Sequence, residues 1–122
     1  GYLCHLEDLS WIRDCRKPLM GICAGMQAIS VLYGGCILPC PAIGLTEIEI
    51  QRESLLLGGP GSLEVFELHN HAATLPEGFS LIAGSSDAAL AFQHPSLPTF
   101  GLLFHPEVRC RWILERFAKL PA

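Results

Sequence analysis

The sequence predicts an α/β sandwich with a mainly parallel central sheet, and three observations support this fold class. A short apolar strand, Leu19–Ile22, runs directly into a helix that begins at Ala24. Short apolar segments bounded by glycine, proline and serine then follow one another through the middle of the chain. An amphipathic helix follows the last of these segments. A strand that passes into a helix and a sheet that ends in a helix are typical of α/β proteins.

The elements are expected in a definite order. Leu6, Leu9 and Ile12 recur at helical spacing ahead of the first strand. The helix after that strand is expected over 24–33, with Gly34 as its C-cap. Further strands are predicted around Ile48–Ile50 and at Leu63–His69, Phe79–Gly84, Ala88–Gln93 and Thr99–Phe104. A final helix is predicted over Val108–Leu120, with Ile113, Phe117 and Leu120 on one apolar stripe.

Composition limits the class of protein. The chain has 122 residues, of which 50% are apolar and 16% charged, as suits a single domain spanning 1–122. A net charge of −4 argues against a nucleic-acid partner. No apolar run is long enough for a membrane span, and no secretory signal is visible. We therefore expect a cytoplasmic protein whose six cysteines are reduced.

Cys23 lies at the junction of the first strand and its helix, with Gly21 and Gly25 on either side. Glycines at these positions remove side chains where a sharp turn brings strand and helix close together. A comparable elbow exposes the serine nucleophile of α/β hydrolases. Because a helix N-terminus favours an anion, the thiol of Cys23 is expected to ionise more easily than a free cysteine.

A histidine and a carboxylate complete the predicted site. His105 ends the last apolar strand, and the following proline constrains it to an extended conformation. Residues two apart in an extended segment point the same way, so Glu107 can reach the imidazole of His105. Cys23, His105 and Glu107 thus fit the arrangement of nucleophile, base and orienting carboxylate.

No metal is expected. Cys36 and Cys40, or His69 and His71, could each supply two ligands, but neither spacing has a matching second pair. The glycine-rich segment at 57–62 resembles an oxyanion loop, yet it follows the cysteine instead of preceding it. We expect that segment to be a surface turn.

Two motifs give the chain a family resemblance. The run Pro18-Leu-Met-Gly-Ile-Cys-Ala-Gly-Met-Gln27 and the run Phe100-Gly-Leu-Leu-Phe-His-Pro-Glu107 resemble the class I, triad-type glutamine amidotransferases. The segments at 66–71 and 75–86 are similar to the middle part of that family. The resemblance spans nearly the whole chain and is nearest to the amidotransferase part of GMP synthetase. It implies a flavodoxin-like sandwich.

The resemblance also implies the chemistry. Cys23 would attack the side-chain carboxamide of glutamine and form a γ-glutamyl thioester. His105 would relay the proton to the departing ammonia, and Glu107 would keep the imidazole oriented. Water would then release glutamate, and no cofactor is needed.

Further site residues follow from the resemblance alone. The backbone N–H of Ala24 and one from a glycine loop at or before Gly1 would form the oxyanion hole. Ala24, Gln27 and His69 would line the glutamine pocket. The ammonia implies an acceptor, which would be a synthase domain or subunit.

Family members are longer than this chain, so the resemblance implies that N-terminal strands of the sheet are missing ahead of Gly1. A sheet edge left bare in this way invites pairing with another chain, and a homo-oligomer is therefore expected. Two other functions remain open. A γ-glutamyl hydrolase or peptidase would use the same triad, and a truncated module could bind glutamine without turning it over.

Overall fold

The structure, a computed structural model, describes residues 11–121. The predicted first helix lies mostly outside this range, as does Gly1, and residues 11–14 form a short 3₁₀ turn. The elements in chain order are β1 (Leu19–Ile22), α1 (Ala24–Leu32), β2 (Ile37–Ile50), β3 (Gly61–Ala73), β4 (Ser80–Gly84), β5 (Ala89–Gln93), β6 (Thr99–Leu102) and α2 (Trp112–Ala118).

The described strands form one six-stranded sheet, which confirms the α/β class. Its order is β1-β6-β5-β3-β2, and β4 pairs with β5. Within residues 11–121, β1 and β6 are the one parallel pair, with Leu19 opposite Thr99 and Ile22 opposite Leu102. The other pairings are antiparallel because the chain leaves α1 into the β2–β3 hairpin and then returns through β4 and β5. The sheet is thus mixed, with its parallel part beside α1.

Most predicted strands lie within one or two residues of the observed ones, but two elements differ. β2 begins at Ile37, well before the predicted start. Pro39 and Pro41 mask it in the sequence, because proline is tolerated only at a sheet edge, and β2 is an edge strand of the described sheet. The last helix is shorter than predicted: residues 106–111 form turns before α2. The glycine-rich segment at 57–60 lies in the β2–β3 connection, as predicted.

The two helices cover opposite faces of β6. Phe100 points toward α2, where its ring lies edge-on to Phe117, while a Cβ built on the next residue, Gly101, would contact Met26 of α1. Successive residues of a strand face opposite sides of the sheet, so two core clusters form, one under each helix. Ile113 of α2 is fully buried, and Phe117 and Leu120 pack against the same cluster, which confirms the predicted stripe.

The parallel pair sets the position of the candidate site. Carboxyl ends of parallel strands meet at one edge of a sheet, where open α/β proteins bind their ligands. Cys23 directly follows β1, and His105 follows β6. Neither helix of the described residues is long and apolar enough to cross a membrane.

Candidate active site

Cys23 occupies a strained turn between β1 and α1. Its φ of 54° and ψ of −106° lie in a region that a residue with a side chain rarely adopts. The Cys23 N–H donates a hydrogen bond to the carbonyl oxygen of Leu102 at 2.7 Å, which joins the turn to the end of β6. Such strain persists only where the surrounding structure enforces it, and it concentrates at functional positions. The predicted elbow is therefore present.

The close approach at the elbow depends on Gly21. A Cβ on Gly21 would lie 2.6 Å from the backbone of Gly25 and 2.7 Å from Cδ1 of Ile29. Gly101, opposite Gly21 in the register, faces the same helix. The expectation that Gly25 also avoids a side-chain clash is wrong, because a Cβ on Gly25 would meet nothing within 4 Å. Gly25 contributes its backbone to the contact, and its side-chain direction is open.

His105 and Glu107 form a close pair at the end of β6. The distance from Nδ1 of His105 to Oε1 of Glu107 is 2.6 Å, as their spacing predicts. The backbone N–H of His105 donates to the carbonyl oxygen of Phe66 at 2.8 Å. This bond fixes the histidine against β3, while the Glu107 carboxylate orients its ring.

The thiol and the imidazole meet at one carbonyl oxygen. The Cys23 sulfur lies 3.7 Å from the carbonyl oxygen of Leu68, and Nε2 of His105 lies 3.2 Å from the same atom. Among the described residues the sulfur and Nε2 share this acceptor and form no direct hydrogen bond with each other. Because a carbonyl oxygen only accepts, Nε2 carries a proton in this arrangement. The structure thus brings Cys23, His105 and Glu107 together around Leu68.

Burial raises the pKa of the Cys23 thiol, so the expectation of easier ionisation is wrong for this arrangement. A backbone hydrogen bond from Ala24 lowers the pKa, but desolvation of the sulfur outweighs it, and the negative charge of Glu107 raises it further. A helix N-terminus therefore does not suffice to ionise this thiol. Its deprotonation depends on a base such as His105.

The structure places Ala24 and Gln27 on the first turns of α1. Ala24 follows the nucleophile directly, and its backbone hydrogen bond acts on the Cys23 thiol. Gln27 is buried, and its Nε2 donates to the carbonyl oxygen of His71 at 2.9 Å. Gln27 thus ties α1 to β3, and a direct contact between Gln27 and substrate stays a prediction.

His69 has both ring nitrogens engaged. Nδ1 lies 2.8 Å from the carbonyl oxygen of Cys40, and Nε2 lies 3.0 Å from Oε1 of Glu67. Its side chain is 2% exposed. Sequence reasoning missed Glu67, although Glu67 and His69 have the same separation of two residues that indicated the contact between His105 and Glu107. The role of the Leu68 carbonyl has no sequence signal, because every residue carries one.

An open depression of about 510 Å³ borders the site. It is lined by Leu68, His69, Asn70 and the β2 residues 41–43. Neither Cys23 nor His105 lines it, so it lies beside the nucleophile and shares only the Leu68 segment with it.

The sequence match identifies the class of protein. Residues 3–113 match the family described as glutamine amidotransferase class-I. The match covers most of the chain, including Cys23, His105 and Glu107. The chain therefore belongs to the class I glutamine amidotransferase family.

Within that family the chain is similar to the glutamine-hydrolyzing subunits of GMP synthases. It is 37% identical over 103 residues to the one from Methanosarcina acetivorans, a match covering 80% of this chain and 54% of that protein. It is also 34% identical over 108 residues to the pyocyanine-specific anthranilate synthase component 2 of Pseudomonas aeruginosa, covering 85% and 54%. The chain thus spans about half the length of the curated relatives it matches.

Solved structures support the same fold. A GMP synthase-type protein from Thermoplasma acidophilum superposes with a TM-score of 0.83 at 31% identity, covering 94% of this chain and 63% of that one. A glutamine amidotransferase from Thermotoga maritima superposes with a TM-score of 0.71 at 23% identity, covering 97% and 51%. The predicted fold class and its GMP synthase-like character are confirmed.

Proposed function

We propose that this chain hydrolyses the side-chain amide of glutamine and delivers the ammonia to a synthase partner. The observation that carries this proposal is the strained elbow at Cys23, whose sulfur shares the Leu68 carbonyl with a histidine already paired to Glu107. A strained nucleophile next to an oriented imidazole is the arrangement that covalent acyl transfer requires. Family membership supplies glutamine as the substrate.

The first half of the reaction forms a thioester. Nε2 of His105 turns from the Leu68 carbonyl, takes the thiol proton of Cys23, and the thiolate attacks the carboxamide carbon. A C–S bond forms as the carbonyl electron pair moves onto oxygen, where the Ala24 N–H and a donor at or before Gly1 would stabilise the charge. When the oxyanion collapses, the C–N bond breaks. His105 returns the proton to the leaving nitrogen, which departs as ammonia.

The second half regenerates the enzyme. A water molecule attacks the thioester carbon while His105 accepts one of its protons. The C–S bond breaks, glutamate leaves, and the proton passes from His105 to the Cys23 sulfur. Glu107 keeps Nδ1 engaged throughout and stabilises the imidazolium that forms in each half.

The surface beside the site supports a protein partner. Ile43 is 81% exposed, Leu68 is 50% exposed and Val108 is 56% exposed. Ile43 and Leu68 are direct neighbours across β2 and β3, and Val108 follows the His105–Glu107 pair. Exposed apolar side chains grouped at a functional site are typical of interaction surfaces. We assign this surface to the synthase partner that takes up the ammonia.

The experiment is an assay of glutamate release from glutamine, with a γ-glutamyl peptide as a parallel substrate. We expect release from glutamine that Cys23→Ser abolishes and that a GMP synthase-type partner increases. Cys15→Ser is the matched control, because Cys15 is also a free thiol but lies away from the site. Cleavage of the γ-glutamyl peptide in preference to glutamine would favour a hydrolase. Labelling of Cys23 by a glutamine-like electrophile without turnover, even with the partner present, would favour a binding module.

A further inference from the structure

A second acid–histidine pair lies directly beside the first. Glu67 and His69 flank Leu68, and the carbonyl oxygen of Leu68 is the atom that both Cys23 and His105 contact. Both side chains of the pair extend from the same face of β3, since residues two apart on a strand point the same way. The peptide that presents this oxygen is thus held on either side by the pair.

The pair closes an irregularity in the β2–β3 ladder. The register shifts between Pro39 and Ala42, so Cys40 and Pro41 bulge out of the regular pairing. Nδ1 of His69 lies 2.8 Å from the Cys40 carbonyl oxygen, and it must carry the proton because the carbonyl can only accept. The imidazole therefore replaces a missing ladder bond at the bulge. Bulges commonly lie next to active sites, where they direct a group toward the chemistry.

Glu67 fixes the ring of His69 in this role. Its Oε1 lies 3.0 Å from Nε2, and the side chains of His69 and Glu67 are 2% and 14% exposed. Two hydrogen-bonding contacts at opposite ends of one buried ring, one of them to a carboxylate, leave it a single orientation. A rigid ring at residue 69 in turn restricts the preceding peptide, which contains the Leu68 carbonyl.

We propose that Glu67 and His69 are a positioning pair that holds the Leu68 carbonyl oxygen against Nε2 of His105. In this place the carbonyl accepts the Nε2 proton and stabilises the imidazolium that forms when His105 deprotonates Cys23. His69 then acts through the backbone and not as a glutamine ligand. This inference rests on the proposed function only in that Cys23 and His105 form the reactive pair.

The test measures how fast iodoacetamide alkylates Cys23 across a range of pH, with the site of labelling resolved by mass spectrometry. We expect Glu67→Leu to lower the rate at neutral pH by about 10-fold and to move the midpoint of the pH profile upward, because a small misplacement of a catalytic group has a large effect. Glu67→Gln keeps an acceptor for His69 and should recover most of the rate. Glu64→Gln is the matched control, since Glu64 lies on the same strand, half-exposed and paired with Arg109.

The outcomes separate this inference from the proposed function. Alkylation needs no glutamine turnover, so a wild-type chain that alkylates with the expected profile but releases no glutamate contradicts only the proposed function. Glu67→Leu with a wild-type rate and midpoint would overturn the positioning pair. A lowered rate with an unchanged midpoint, and with no recovery in Glu67→Gln, would do the same. His69→Leu should match or exceed the effect of Glu67→Leu; if it fails to fold, the Glu67 variants decide.

Discussion

The elbow at Cys23 and the β2–β3 hairpin hold their functional atoms in different ways. At the elbow, backbone meets backbone: Gly21 has no room for a methyl group against Gly25. On the hairpin, one row of β2 side chains faces solvent, and Ile43 is 81% exposed. The nucleophile is thus fixed by the packing of the fold, whereas the carbonyl it faces is fixed by a pair of side chains. Changes at the elbow should therefore affect folding, and changes on the hairpin should affect reactivity.

The largest expected effect breaks the elbow. Gly21→Ala inserts a Cβ at 2.6 Å from the Gly25 backbone, and overpacking of this kind should lower the free energy of unfolding by about 3 kcal/mol. Gly25→Ala is the control: its Cβ meets nothing within 4 Å, so the gain in helix propensity should stabilise by about 0.5 kcal/mol. Urea denaturation measures both. Equal effects of the two variants would show that the close approach at Gly21 does not hold the elbow.

The next effect concerns reactivity without folding. Glu107→Gln keeps an acceptor near Nδ1 of His105 but removes the charge that stabilises the imidazolium. We expect glutamate release to fall by about 100-fold, because orienting carboxylates contribute on this scale or more. The Glu107 side chain is 46% exposed, so the midpoint of urea denaturation should not change. A loss of stability that accounts for the loss of activity would place Glu107 with the elbow and not with the reactive groups.

A smaller effect compares two threonines. Thr99 starts β6 beside β1 and is fully buried, and its Oγ1 has no hydrogen-bond partner. Thr99→Val should therefore stabilise by about 1 kcal/mol, since an unsatisfied buried hydroxyl is unfavourable. Thr74, just after β3, accepts from the Cys36 N–H at 2.9 Å. Thr74→Val should destabilise by about 1 kcal/mol, and opposite signs in thermal unfolding are the outcome to look for.

The smallest effect lies at the far end of β6 from the site. Burial lowers the pKa of His94 below its ordinary value of 6.5, and Nδ1 accepts hydrogen bonds from the backbone N–H groups of Ser96 and Leu97. The unfolded chain therefore takes up a proton at higher pH than the folded chain, and stability is lost as the pH falls below 6.5.

His94→Asn keeps an acceptor without titrating, so its Tm should fall less than that of wild type between neutral and mildly acidic pH. Alkylation of Cys23 should be unaffected. The control is His71→Asn, because His71 is exposed on β3. An equal reduction of the pH dependence in both variants would exclude His94 as its source.

The sequence determined the elements that have strong local signals. β1 and the start of α1 agree with prediction to the residue, because an apolar run meets a glycine-flanked cysteine there. The His105–Glu107 contact followed from strand periodicity. β2 was largely missed, since its prolines argue against a strand unless the edge position is known. That position is a property of the whole sheet.

What only the tertiary structure decided is how the site is held. The sequence by itself placed Cys23, His105 and Glu107 in one constellation, because their types and spacings are local and distinctive. It could not show that burial raises the pKa of the Cys23 thiol, because desolvation depends on every element packed around the sulfur. Nor could it single out the Leu68 carbonyl, which differs from any other backbone carbonyl only in where the folded hairpin places it.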